Sequence, residues 1–173
     1  MVHPSGRLGL FVYGQNRTRD GYDHDGDGYT EIARLEGQTL GLRGFAKPTE
    51  LSRLTLEYHA TNEFRRGGDN IELPPHEAMV AEETRHSINA VDLGYNLTSP
   101  TASDRLSAYA AMQHIARRSY YGSEKDPDAY GRTTDFTGLL GAQWTHSFDR
   151  LWFMPAELVA GAEFNYNYLH DVT

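Results

Sequence analysis

Residues 21–31 read GYDHDGDGYTE, with Asp23, Asp25 and Asp27 at alternate positions and Gly28 directly after them. That is the first half of the calcium-loop pattern D-x-D-x-D-G. Calcium takes about six to eight oxygen ligands from a flexible loop. Asp23, Asp25 and Asp27 would fill the first, third and fifth ligand positions, and Gly28 would make the bend. Tyr29 would give a backbone carbonyl at the seventh, and Glu31 stands at the ninth. The twelfth position, a bidentate glutamate in a helix-loop-helix calcium hand, is Arg34. The segment is therefore not that hand. Its compact D-x-D-x-D-G-x-x-E form fits calcium loops outside that fold, with Glu36, Asp69 or Glu72 able to complete the ligand set. The plainer reading is an acidic, solvated loop tip, because Asp and Gly make turns without any ion.

Two further stretches carry groups that could touch a ligand. The segment 69–86 reads DNIELPPHEAMVAEETRH and holds His76 and Glu77 after two prolines that stiffen the path. Tyr120, Tyr121 and Tyr130 stand in and around a third polar stretch. Tyrosine offers a broad apolar ring with a polar tip, which suits a bulky ligand as well as ordinary edge packing. These five are the candidate substrate contacts. Catalysis finds no foothold. There is no G-x-S-x-G, H-E-x-x-H, phosphate-loop or dinucleotide fingerprint, and the chain is expected not to be an enzyme.

Composition narrows the setting. The chain has 173 residues, 24 acidic and 16 basic, for a net charge of -8. It lacks the basic stripe of a nucleic-acid binder, so no nucleic-acid partner is expected. It has no cysteine, which removes disulfides, thiolate metal sites and cysteine nucleophiles. No apolar run reaches the roughly 18 residues of a membrane helix. The opening MVHPSGRLGL has no secretory leader pattern.

The elements that must carry these groups are strands. Leu8, Leu10 and Val12 alternate with Gly9, Phe11 and Tyr13. Similar alternation runs through 39–46, 54–61, 90–97, 106–113, 136–144 and 158–166. One row of each segment is free of charge, while the other carries Arg43, Glu57, His59, Asp92 and Glu163. About seven strands result, each near the ~9–11 residues that cross a bilayer at a tilt. Short connections are expected near 47–51, 99–104 and 147–155, and long ones near 16–36, 65–86 and 119–133. Strict alternation of short and long is the habit of an up-and-down outer-membrane barrel. Tyr13, Tyr58, Phe64, Tyr95, Trp144, Trp152, Phe153, Tyr166 and Tyr168 near strand ends fit its aromatic girdles. Single-chain barrels of this kind are even-numbered and closed. Seven strands therefore predict one partial barrel domain over 1–173, a segment of a larger wall, with Met1 not the biological start.

The blocks RRGGDNIELPPHEAMVAEETRHSINAVDLGYNLTS (65–99), SYYG (119–122), DPDAYG (126–131) and DGYDHDGDGYTEIARLEGQTLGLRGF (20–45) resemble TonB-dependent outer-membrane receptors of the Bacteroidetes type. That resemblance covers most of the chain in order. It implies an all-β, antiparallel meander forming part of a 22-stranded barrel. It also implies energised uptake of a scarce nutrient such as cobalamin or a ferric siderophore. A plug domain missing from this sequence would couple it to TonB, and a surface lipoprotein is a further expected partner. Cobalamin receptors of this class order outer loops with calcium, which matches the aspartate run. The competing expectation is a soluble, acidic, calcium-binding β-domain that serves adhesion.

Overall fold

The computed structural model describes residues 3–172. Alternation does produce strands. β1 (Leu8–Arg19), β2 (Tyr29–Ala46), β3 (Ser52–Asp69), β4 (Val80–Thr98), β5 (Asp104–Ser123), β6 (Tyr130–Leu151) and β7 (Met154–Val172) follow one another in sequence. They form a single antiparallel sheet in the order β1-β2-β3-β4-β5-β6-β7. The only helical element among the described residues is one 3-10 turn, Pro75–Glu77. No helix of the described residues is long and apolar enough to cross a membrane.

The strands are longer than the alternating segments, between 12 and 22 residues. Their extra length lies mostly at one end, where both faces are polar and alternation gives no signal. The expected long loops therefore shrink to 20–28, 70–79 and 124–129. The connections at the other end are 47–51, 99–103 and only 152–153. The predicted turn over 147–155 is thus mostly ladder, broken by a register shift between Phe148 and Leu151. Trp152, with φ at 59°, turns the corner. Long and short connections still alternate.

Register aligns the rows. Directly opposed residues on neighbouring strands point to the same face. Leu10, Gly44, Leu56, Leu93, Ala110, Leu140 and Phe164 form one unbroken line across all seven strands. The next line is Val12, Leu42, Tyr58, Val91, Met112, Gly138 and Tyr166. On β6 the band runs from Phe136 to Trp144, about 26 Å along the strand at about 3.3 Å per residue. Among the described residues no second layer covers it. Leu56 keeps 41% of its surface exposed, Leu140 58% and Phe164 64%.

The opposite face is polar and paired within itself. Arg43 meets Glu57 at 3.0 Å, and His59 shares a hydrogen bond with the Tyr13 hydroxyl at 2.8 Å. Tyr109 donates to Glu163. Tyr13 therefore lies on the polar face, away from the apolar row that Tyr58, Tyr95, Trp144, Tyr166 and Tyr168 share. β1 pairs only with β2, and β7 only with β6, so the sheet is open along both outer strands.

The one buried cluster among the described residues sits at the long-loop end, where Ala78, Ala81 and Tyr120 pack with Ala129. Gly68, at φ +100°, is required there, because a Cβ would stand 2.0 Å from the Val80 carbonyl oxygen.

Candidate functional site

The loop between β1 and β2 gathers the aspartates. An isolated antiparallel bridge between Tyr22 and Ile32 narrows its base, with N–H···O distances of 2.9 and 3.2 Å. Above the bridge each carboxylate turns inward onto the backbone. Asp23 accepts the N–H of Gly26 at 2.7 Å through Oδ1, and that of Gly28 at 2.9 Å through Oδ2. Asp25 accepts from Asp27 at 3.3 Å, and Asp27 from Tyr29 at 2.8 Å. Glu31 reaches back across the loop to the His24 N–H at 2.6 Å. Gly26 and Gly28 have φ of 75° and 91°, the left-handed backbone that this tight winding needs.

The result is four carboxylates, those of Asp23, Asp25, Asp27 and Glu31. Each offers an oxygen within 4.8 Å of the others. Such a group could hold a metal ion. The loop, residues 20–28, contains no lysine or arginine. The N–H groups of Gly28 and then Gly26 hold the Asp23 carboxyl below its ordinary value of 3.8. A carboxylate has about four lone-pair sites, so two backbone bonds leave Asp23 free capacity. Tyr29 is the first residue of β2, and its N–H is held by Asp27.

The neighbouring acids expected to complete the ligand set are committed elsewhere. Glu36 and Glu72 both pair with Arg34, at 2.7 and 3.5 Å. Asp69 accepts the N–H of Val80 at 2.8 Å and of Met79 at 3.2 Å, with the Asn70 amide at 2.7 Å. It fastens the β3–β4 loop. Burial works to raise the Asp69 carboxyl, but these donors outweigh it and the net shift is downward.

Three of the five candidate substrate contacts come together. His76 Nδ1 and the Tyr130 hydroxyl share a hydrogen bond of 2.7 Å. The Tyr120 and Tyr130 rings meet edge-on with centroids 4.9 Å apart. Tyr120, only 1% exposed, donates to the Asp126 carbonyl at 2.8 Å. Glu77 stands beside His76 at 4.0 Å and is largely exposed. Tyr121 points to the other side of the sheet from Tyr120 and is 57% exposed. Register puts Tyr120 and Tyr130 in line with Glu83 and Arg66, on the same face as the apolar band. Burial, ahead of the nearby Glu83 charge, raises the Tyr130 hydroxyl above its ordinary value.

Arg66 is the residue that sequence reasoning missed. It is 1% exposed. It donates to the carbonyls of Gly67 and Asp69, while its Nε has no partner among the described residues. The run RRGGD was the available signal, since adjacent glycines in a strand mark close backbone approach.

Comparison with known proteins gives no further constraint: no family model, curated protein or solved structure matches the chain.

Proposed function

We propose that this chain is a stretch of the wall of a TonB-dependent outer-membrane receptor that takes up a scarce nutrient such as cobalamin or a ferric siderophore. The observation that carries the membrane part is the in-register apolar band. It is continuous over seven strands and covered by nothing among the described residues. At a tilt of about 40° it would span about 20 Å along the membrane normal, near the ~25 Å apolar band of such barrels. The opposite face pairs its charges internally, as the lining of a wall must. The two open edges would continue into further strands, because an unpaired edge is not tolerated in lipid. A soluble adhesion domain would instead leave this band in water, well beyond the largest apolar patch of a typical monomer.

The receptor part of the proposal rests on the resemblance of the loop-bearing blocks. In it the long-loop end faces outward, and the partners are outer-membrane lipid, a small nutrient ligand, a plug domain that engages TonB, and a surface lipoprotein. His76, Glu77, Tyr121 and Tyr130 are the loop-end residues assigned to ligand contact, while Tyr120, expected among them from the sequence, is buried and packs the cluster beneath them. Asp23, Asp25, Asp27 and Glu31, with the Tyr29 carbonyl, hold Ca2+ and fix the first loop. The carboxylate oxygens all lie within 4.8 Å of one another, close enough to share one ion, and the choice of Ca2+ rests on the D-x-D-x-D-G spacing.

Density-gradient fractionation of cells producing the protein tests the location. Sedimentation with outer-membrane markers is expected, and recovery in the soluble fraction without detergent would end the proposal. Cyanocobalamin and a ferric siderophore, offered to those membranes as labelled ligands, test the cargo.

A further inference from the structure

Arg85, Arg118 and Arg132 occupy one register line on three adjacent strands. Arg85 is directly opposite Arg118, and Arg118 directly opposite Arg132. All three are exposed, and all three stand on the same face as the apolar band, toward the long-loop end. Arg132 is four residues beyond Phe136, the last aromatic of the band on β6, about 13 Å along the strand. Like charges directly opposite on a sheet destabilise it. A chain with net charge -8 has acids to spare, yet places few of them here. Glu83 engages Arg85 at 3.0 Å, and Arg85 also lies 4.2 Å over the Phe64 ring. Arg118 and Arg132 have no ion-pair or hydrogen-bonding side-chain partner among the described residues. Beside them lies a shallow concavity of about 620 Å³ whose lining includes Arg85, Arg118, Gln38 and Asn62, and also Glu36 and Glu63, whose charges are already paired with Arg34 and with Arg17 and Arg65.

We propose that this arginine row binds the phosphate of an anionic lipid headgroup in the leaflet at the long-loop end. The inference rests on the membrane-wall reading above and adds a binding site to it. Neighbouring strands are about 4.8 Å apart, so the three guanidinium groups begin about 10 Å end to end. That suits one or two phosphates held by forked, charge-assisted hydrogen bonds. The long arginine stems can lie back along the sheet toward the band and keep their heads at headgroup level. The acyl chains of the same lipid would then rest on the Val12-to-Tyr166 line. A soluble acidic partner would not need the guanidinium groups to adjoin the apolar band on one face.

The test is partition of the chain between buffer and vesicles. Vesicles of phosphatidylcholine are compared with phosphatidylcholine doped with phosphatidic acid. The wild-type chain is expected to enter both, its two open edges pairing with further copies of the chain in the bilayer, and to prefer the doped vesicles. Arg118→Gln with Arg132→Gln is expected to lose about fivefold of that preference per arginine, with entry into neutral vesicles unchanged. Arg17→Gln with Arg65→Gln removes equal charge at the same end but on the polar face, and is expected to keep the preference. Entry into neutral vesicles without preference, or equal loss in both double variants, overturns the site alone. Suppression by inorganic phosphate at matched phosphate concentration assigns the row to a soluble anion and overturns the lipid assignment. Failure to enter neutral vesicles overturns the wall reading, and this inference with it.

Discussion

The Tyr130 hydroxyl and the His76 Nδ1 meet at 2.7 Å and tie the β3–β4 connection to the start of β6, 54 residues further along the chain. This bond closes the side of the only packed cluster among the described residues. Removing the hydroxyl with Tyr130→Phe leaves the ring contact to Tyr120 and loses about 1 kcal/mol. Tyr120→Ala removes the buried ring itself and costs about 3–5 kcal/mol locally. Limited proteolysis within residues 70–79 reads both effects, with faster cleavage in Tyr120→Ala than in Tyr130→Phe. Equal cleavage in all three proteins would show that the cluster does not hold the loop.

Asp69 gives the loop a pH dependence with a defined sign. Its carboxyl lies below the ordinary value of 3.8 in the folded protein. A depressed carboxylate contributes stability that is complete above its unfolded value and is lost as pH falls through the folded one. Protection of the Met79 and Val80 amides from hydrogen exchange should therefore hold at neutral pH and fall away below about pH 4. Asp69→Asn should weaken that protection already at neutral pH, by about 2 kcal/mol, because the acceptor loses its charge. Protection that is flat across the acid range would mean that the carboxylate is dispensable.

Calcium should bind the wild-type loop with measurable heat, and magnesium more weakly, because it demands a tighter octahedron. Asp23→Asn removes a ligand charge and also loosens the Gly26 and Gly28 contacts, so it should weaken binding more than Asp25→Asn. Backbone donors hold the Asp23 carboxyl low, so this one ligand stays charged to lower pH than an ordinary aspartate. No heat at millimolar calcium from a folded chain would leave the loop as an acidic turn.

The two faces of the sheet should answer differently to the same substitution. Leu93→Arg places a charge in the middle of the apolar band and should cost about 2–4 kcal/mol of membrane stability. Ala111→Arg, on the adjacent strand and the polar face, should cost little. Urea titration of vesicle-inserted protein compares them. Similar losses for both would mean that the band does not face lipid.

The amino-acid pattern by itself determined that this chain makes strands, and which residues share a face. Side chains in a strand alternate sides, so Leu54, Leu56 and Tyr58 had to part from Thr55, Glu57 and His59. The aspartate run was equally legible, because its spacing and glycines are local. Strand ends were not legible. Residues such as Gln15 to Arg19 and Ser119 to Ser123 are polar on both sides, and only pairing with a partner strand makes them ladder. Tertiary structure alone decided what stands beside what. Arg85, Arg118 and Arg132 lie 14 residues or more apart in sequence along the chain, and register sets them side by side. It also buried Arg66 and Tyr120 and committed Asp69 to a loop. The physical reason is that backbone hydrogen bonds between strands fix register to the single residue, and contacts across strands follow from register, not from spacing along the chain.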